Sequence, residues 1–376
     1  MCTLSRALAQ GFFLLGGFCW AQQPALKIDF EHDSPVTVVQ ADWGESRTDA
    51  RGGAMVLDLH TSLMLRNSGA RTIRGITLLV STQEFTPGGK GSVAVPSLDA
   101  KPGEAFPIRI DLRLLRPLLA GRAPLATVSV DGILFADLSF YGPNALNSRR
   151  AMTAWELEAR RDRRYLREVF EAHGRDALRR EMVETLARLS ASGALDVQLV
   201  RRGRATAVAS AAEREVEFAF LRLPDAPVQP ISGVARVAGS EARSPTIRVL
   251  NRSKRPVRYF EIGWIIRDQG GNEYMAGSVP ASDTGLALAP GERREVAQET
   301  ALRFSRDSRP IAIDAMTGFV SQVEFSDGSI WIPSRAAISA ANLGSVIAPS
   351  PEEQRLAGLY RRKGLGALIE ELKRLH

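Results

Sequence analysis

The strongest constraint on this chain is that it repeats itself. Near residue 65 it reads LRNSGARTIRGITLLV, and near residue 250 it reads VLNRSKRPVRYFEIGW. A shift of 184 places Leu63 on Ile247, Leu65 on Val249, Asn67 on Asn251, Arg71 on Arg255, Ile73 on Val257 and Arg74 on Arg258. Pro102-Gly103-Glu104 then matches Pro290-Gly291-Glu292 at a shift of 188. ILFADLSFY (Ile133 to Tyr141) meets VEFSDGSIW (Val323 to Trp331) at a shift of 190. Three blocks in one order, drifting by only six residues, predict two copies of one unit. With 376 residues and 44% hydrophobic content, the chain is long enough for two or three domains with real cores.

The copies read as β-structure. Leu57, Leu59, Leu63 and Leu65 alternate with Asp58, His60 and Ser62, which is the period of a half-buried strand. A polar Asn-x-x-x-Arg turn follows, and Ile76, Leu78 and Val80 begin a second alternating strand. Copy two repeats this with Ile247 and Val249, then Phe260, Ile262 and Trp264. Short strands punctuated by Gly, Pro, Asn and Asp over about 100 residues predict an antiparallel sandwich. Asp327-Gly328 is a two-residue hairpin signal, because both central positions want positive φ. Leu138 stands where Gly328 does, so copy one is expected to turn elsewhere, at Asp131-Gly132.

On these blocks the chain resembles the immunoglobulin-like and fibronectin type III-like sandwiches of exported bacterial proteins, over residues 28–148 and 228–340. The antibody-type Cys…Trp…Cys signature is missing. The resemblance implies a fold and no activity, since such sandwiches host adhesion, ligand binding, linkage and structural roles alike.

Between the copies the pattern changes. Thr153-Ala-Trp-Glu156 reads as a capping box opening a helix over 154–172, with Trp155, Ala159, Leu166, Val169 and Phe170 as its apolar stripe. Gly174 stops it, and a second helix over 175–190 carries Leu178, Met182, Leu186 and Leu189. LDVQLV and EVEFAFLRL follow as strands, and Leu223 to Pro227 as a linker. Ser350-Pro-Glu-Glu353 opens a C-terminal helix with proline at its favoured first position. Gly364 and Gly366 loosen that helix, and its stripe of Leu356, Leu359, Leu368 and Leu372 is expected to dock on the chain's own body or on a partner. The expected fold is thus mainly β with an α insert. Its parts are a sandwich over 22–148, a helical insert over 149–193, strands and linker over 194–227, a second sandwich over 228–340, and a linker and amphipathic helix over 341–376.

The first residues, MCTLSRALAQGFFLLGGFCWAQQ, read as a secretory signal. Arg6 gives the positive start, Gly11 to Trp20 the apolar run, and Cys19-Trp20-Ala21 a small-x-small cleavage site. Lipidation at Cys19 is the rival reading, disfavoured by the bulk of Phe18. The run is too short to span a bilayer, and no later segment has the length and apolarity of a membrane helix. Cys2 and Cys19 are the only cysteines, so a chain cleaved at Ala21 has no disulfide, thiol nucleophile or cysteine metal site. The expected location is periplasmic or extracellular.

The net charge of +7 suggests nucleic acid at first sight. Yet 43 of the 49 basic residues are arginines spread along the chain, a bias that a GC-rich genome produces by itself, and exported proteins rarely meet nucleic acid. Ten of these arginines lie between Arg149 and Arg180, interspersed with six acids. Such mixing reads as a solvated face with i,i+4 pairs, and its functional alternative is a docking surface for an acidic partner or anionic head groups.

Candidate chemistry is sparse. His32, His60, His173 and His376 are the only histidines, and none is flanked by a nucleophile elbow or an HExxH zinc motif. The aligned acids Asp137 and Asp327 are the natural pair for a glycosidase-type mechanism, but equivalent positions in two copies are expected to lie apart. Asp268 to Glu273 lacks the spacing of a calcium loop and reads as a hairpin. Gly88-Gly89-Lys90-Gly91-Ser92 lacks the spacing of a P-loop and reads as a flexible loop. Trp264 is expected in the core, Trp331 and Tyr141 in one matched packing role, and Trp43 and Tyr259 at the surface.

No catalytic, cofactor-binding or metal-binding residue is assigned. The expected role is a non-catalytic binding or scaffolding protein of the cell envelope that makes protein–protein contacts. The alternatives are a hydrolase of envelope or extracellular polymers, which needs a pocket with two acids or an acid–histidine pair, and a carbohydrate-binding module, which needs Trp43, Tyr259 and Trp331 exposed in a row.

Overall fold

The computed structural model describes residues 26–82, 88–117, 124–191, 195–200, 212–282, 285–345 and 347–375. The signal-peptide reading, with Cys2, Cys19 and Ala21, and also His376, lie outside the described residues. The first part of the chain runs β1 (Leu26–Ile28), β2 (Val36–Asp42), β3 (Arg47–Arg51), β4 (Ala54–Asn67) and β5 (Ile73–Ser81). It continues with β6 (Lys90–Val95), β7 (Ala105–Pro117), β8 (Ala126–Phe135), β9 (Phe140–Tyr141) and helix α1 (Ser148–Ala191). Next come β10 (Asp196–Val200), β11 (Arg214–Phe220), β12 (Val228–Ala238), β13 (Glu241–Asn251), β14 (Val257–Asp268) and β15 (Glu273–Pro280). The last strands are β16 (Arg293–Ala297), β17 (Ala301–Arg306), β18 (Arg309–Pro310), β19 (Ile313–Phe325) and β20 (Ile330–Trp331). Helices α2 (Arg335–Ala340) and α3 (Pro351–Arg374) close the chain. Lys90, Gly91 and Ser92 stand in β6, so the strand begins inside the segment expected to be loop.

The protein is mainly β, with several antiparallel or mixed sheets. The first part forms one sheet in the order β1-β8-β5-β6 and another in the order β2-β4-β3, with β7 also pairing β4. The second part forms one eleven-stranded sheet in the order β10-β17-β13-β12-β11-β19-β14-β15. Its two edges meet where the Leu195 amide, just before β10, donates to the Met275 carbonyl of β15 at 2.9 Å, so the sheet nearly closes on itself. Strands β10 and β11, expected to lie between the units, are therefore integral to this sheet. Two compact units result, one of residues up to 66, 78–93 and 106–129, and one of 67–77, 94–105 and 130 onward.

The expected alternation holds. Leu57, Leu59, Leu63 and Leu65 are buried in β4, Ile76, Leu78 and Val80 in β5, and Phe260, Ile262 and Trp264 in β14. The Trp264 ring meets Phe218 edge-on at 4.7 Å within the core of the eleven-stranded sheet.

At the Asn-x-x-x-Arg turns the repeat is visible atom by atom. Asn67 Nδ2 donates to the Arg71 and Ala100 carbonyls, both at 2.8 Å, and Asn251 Nδ2 donates to the Arg255 and Leu288 carbonyls at 2.9 and 3.0 Å. Gly103 and Gly291 amides donate to the Asn67 and Asn251 carbonyls. The Glu104 and Glu292 carboxylates accept from the Lys101 and Ala289 amides, closing the Pro-Gly-Glu turns. The guanidiniums of Arg71 and Arg255 lie 3.9 Å over the rings of Phe135 and Phe325, in matched cation–π contacts.

ILFADLSFY and VEFSDGSIW also turn alike. Phe135 and Phe325 amides donate to the Ser139 and Ser329 carbonyls, and Leu138 and Gly328 amides donate back to Phe135 and Phe325. Each is thus a three-residue connection ending in a left-handed residue, φ +65 at Leu138 and +81 at Gly328. The expected turn at Asp131-Gly132 does not form. Both residues lie inside β8, where Asp131 is buried and accepts the Leu146 amide at 3.1 Å. Copy one therefore holds a leucine in a conformation that costs an L-residue about 1–2 kcal/mol. Leu138→Gly is expected to stabilise the protein by under about 1 kcal/mol once the extra freedom of unfolded glycine is counted, read as a slightly higher denaturation midpoint. A midpoint shift in the opposite direction would show that the leucine side chain repays its strain.

The helices correct the sequence reading twice. Helix α1 starts at Ser148, not after Thr153, whose hydroxyl donates back to the Arg149 carbonyl at 2.7 Å inside the helix. Asn144 takes the early helix amide of Arg149 at 2.9 Å instead. The helical segment is also no insert foreign to the repeat. Helix α1 breaks at Gly174 (φ +76, ψ −167) and α3 at Gly364 (φ +80, ψ 179), a conformation essentially confined to glycine. The two glycines are 190 residues apart, the same shift as the last β block, and so are Leu166 and Leu356, Leu178 and Leu368, and Met182 and Leu372. All six of these apolar residues are buried against one another in a single cluster. Each β copy is followed by a helix–glycine–helix, and the two pack together. Leu356, Leu368 and Leu372 of the C-terminal stripe thus dock on the chain's own α1, whereas Leu359 is half-buried outside that cluster, and the Ser350–Glu353 capping box forms as expected.

Candidate functional site

Asp137 and Asp327, the paired acids of the sequence, are turn residues. Each accepts the amide of the serine two positions on (Ser139 at 3.0 Å, Ser329 at 2.9 Å) and that serine's hydroxyl, and each faces the arginine of its own corner. The Ser329 amide and hydroxyl, with Arg255, hold Asp327 down at about 2, and the Ser139 hydroxyl and amide lower Asp137 in the same way. Both are exposed, and neither lines a described cavity.

His60 is the one described histidine that meets an acid closely. Its Nδ1 lies 2.9 Å from Asp111 on the outward face of the strands, where its side chain is 40% exposed. His32 and His173 are exposed. Asp268 accepts the Gly270 and Asn272 amides at 2.8 and 2.9 Å, forming the expected hairpin between β14 and β15. Trp43, Tyr259 and Trp331 are each half-buried, not exposed. Arg150 covers the Tyr259 ring at 3.5 Å, and the phenol donates to Glu261 at 2.6 Å.

Helix α1 holds what sequence reading missed. Its charges were expected on a solvated face, but Glu156, Asp162 and Arg163 are buried. Asp162 is fully buried between Arg161 (2.8 Å), Arg335 (3.2 Å) and the Ser350 hydroxyl, which donates to it at 2.6 Å. Arg335 and Arg188 both reach Glu353, and Arg163 bridges Glu156 (3.0 Å) to Glu352 (3.2 Å). This ionic clasp joins α1 to α2 and to the start of α3. Charges can be buried this way only because each has a hydrogen-bonded opposite. Toward the corners, Glu156 lies 3.9 Å from Arg74 of the first copy, and Arg150 and Arg258 share Glu324 of the second.

Beside the clasp two hollows open. A small one of about 190 Å³ is bordered by Glu158, Ser321, Phe319 and Ile338, and burial pushes the Glu158 carboxyl up to about 7 despite nearby Arg161. The larger is an open cleft of about 620 Å³. Five arginines line it, Arg74, Arg160, Arg163, Arg164 and Arg167, together with Glu156, Glu168, Glu171 and Ala136. Four of these arginines come from α1 at helical spacing, and Arg74 comes from the strand after the Asn67 corner. Three polar atoms among them are buried with no hydrogen-bond partner among the described residues: Arg74 Nε, Arg167 Nε and Glu156 Oε2. These atoms lie under the wall, and the cleft is the candidate site for its size and its concentration of charged side chains. No group of histidine, cysteine and acid side chains fit to hold a metal occurs among the described residues.

Comparison with known proteins adds little. No family model matches the sequence, and no curated protein is significantly similar to it. Among solved structures, the ApaA protein from Bordetella pertussis is 13% identical and covers 33% of this chain and 91% of its own, with a TM-score of 0.17. Red sea bream transglutaminase is 8% identical over 80% of this chain and 31% of its own, with a TM-score of 0.13. These scores are too low to support an argument about fold or activity, and the chain is assigned to no family.

Proposed function

We propose that this is a non-catalytic, exported binding and scaffolding protein of the cell envelope, with two immunoglobulin-like units, in which the arginine cleft receives a protein partner. The observation that carries this reading is the open cleft of about 620 Å³, walled by five arginines and three glutamates. The ionic clasp supports it by holding α1 rigidly against α3 and both corners, as a scaffold for a partner would require. Asp137 and Asp327 suit a hydrolase poorly, because a general acid needs a raised pKa and theirs are lowered. Half-burial of Trp43, Tyr259 and Trp331 reduces the aromatic face that each could offer a sugar.

In-cell photo-crosslinking tests the reading. A crosslinking residue placed at Glu171, on the cleft, is expected to give discrete protein adducts, while one at exposed Glu217 on β11 gives none. Equal adducts at both positions, or none at Glu171, would sink the cleft as the partner site.

A further inference from the structure

The small hollow beside the clasp holds one charged group that the clasp does not use. Among the described residues, five charged side chains border it: Arg161, Arg188, Arg335, Glu353 and Glu158. Four of them are engaged. Arg161 holds Asp162 at 2.8 Å and the Pro333 carbonyl at 3.1 Å, Arg188 holds Glu353 at 3.2 Å, and Arg335 reaches both acids. Glu158 makes no ion pair and no hydrogen bond with any described residue. Its side chain is half-buried, and its oxygens are not among the polar atoms sealed from solvent. A carboxylate with open acceptors therefore faces the hollow.

The charges around Glu158 choose the sign of a guest. Of those that act on it most strongly, Arg161 favours its ionised form, whereas Asp162, Glu353 and, from β14, Glu261 oppose it. Arg188 and Arg335 are paired to Glu353 and Asp162, and Glu261 accepts from the Tyr259 phenol beside Arg150. Strands β15 and β19 bring only uncharged side chains to the hollow, Met275, Ser278, Phe319 and Ser321. A cation beside Glu158 is thus drawn by four carboxylates and opposed chiefly by Arg161, and an anion there meets the reverse. Met275, Phe319, Ile338 and Ile347 give the hollow its apolar wall. An apolar cavity of about 150 Å³ admits benzene, so one of about 190 Å³ takes a guest of about six to eight non-hydrogen atoms.

We propose that this hollow is a second binding site, independent of the cleft, for a small primary amine whose ammonium pairs with the Glu158 carboxylate and whose short hydrocarbon body lies on the apolar wall. The amine enters already protonated, so any proton lost on binding comes from Glu158. With burial holding that carboxyl up at about 7, its ionised form is scarce at pH 6 and dominant at pH 8. Affinity should therefore rise with pH across that window, and binding at pH 7 should release about half a proton. Glu261, which burial also raises, acts in the same direction.

Isothermal titration calorimetry on the full chain tests this with cyclohexylamine, and with cyclohexanol and cyclopentanecarboxylate as neutral and anionic guests of similar size. Cyclohexylamine is expected to bind about tenfold more tightly at pH 8 than at pH 6, and about tenfold more tightly than cyclohexanol at pH 8, each a difference of about 1.4 kcal/mol. Heats in two buffers of different ionisation enthalpy give the proton release. Glu158→Gln keeps the shape of the side chain and should abolish both the preference for the amine and its pH dependence. If cyclopentanecarboxylate binds more tightly than the amine at either pH, the arginines select the guest and the inference is overturned. It is overturned equally by no amine binding at about 10 mM, by cyclohexanol matching the amine, or by an unchanged preference in Glu158→Gln. Absence of proton release overturns it too, and that measurement uses the unaltered chain, so it stands whether or not the variant folds.

Discussion

Replacing Asp162 with alanine is expected to destabilise the protein by about 3–5 kcal/mol, because it strips the counter-charge from a buried ion cluster. Asp162 is fully buried, and its carboxylate meets Arg161, Arg335 and the Ser350 hydroxyl at once. Without it, Arg335 keeps Glu353 and the face of Tyr165, Arg161 keeps the Pro333 carbonyl and nearby Glu158, and Ser350, which caps α3, loses the acceptor that orients it. The loss should appear as a lower urea midpoint at unchanged slope. Asp162→Asn keeps an acceptor for Ser350 and removes only the charge, so it separates the two contributions and should fall between the native chain and the alanine variant. A loss below about 1 kcal/mol for Asp162→Ala would mean that the arginines find water easily, and that the clasp is not sealed.

Asn251→Ala is expected to cost about 2–4 kcal/mol, since it removes hydrogen bonds inside a corner that excludes water. The Asn251 side chain is fully buried, donates to the Arg255 and Leu288 carbonyls and accepts the Ser253 amide at 3.0 Å. It thereby ties the turn after β13 to the segment leading into β16. Asn67 makes the matching bonds to Arg71, Ala100 and Gly69. Asn67→Ala should therefore cost a similar amount, and denaturant midpoints of the two variants provide the check. If one loss were several-fold smaller than the other, the two corners would differ in how well water replaces the amide.

The sequence made these corners legible because an asparagine, an arginine and a Pro-Gly-Glu turn recur at nearly fixed offsets in both copies. The Leu138 turn was misread for the converse reason. Local preference rejects leucine at positive φ, yet the flanking strands and the Ser139 bonds to Asp137 impose it. The helical repeat escaped notice because only a glycine and a few apolar positions persist between α1 and α3. Leucine and methionine serve alike at these positions, and the residues between them differ, so little identity is left while packing is kept.

The candidate site was less legible still. The arginines of α1 were visible as a run of mixed charge, but whether a charge on a helix is solvated or buried depends on what packs against it. Glu352, Glu353 and Arg335 lie more than 160 positions from the charges of α1 that they meet.

By itself, then, the sequence determined the β character, the duplication, the corner chemistry, the glycine breaks and the capping of α3. All of these follow from spacing along the chain and from which backbone angles a residue tolerates. Only the tertiary structure decided that the last helix closes on the central one, that their charges form a buried clasp, and that Arg74 joins four arginines of α1 around one cleft. Those outcomes depend on burial, and burial is a property of what is brought together across the fold, which no local pattern encodes.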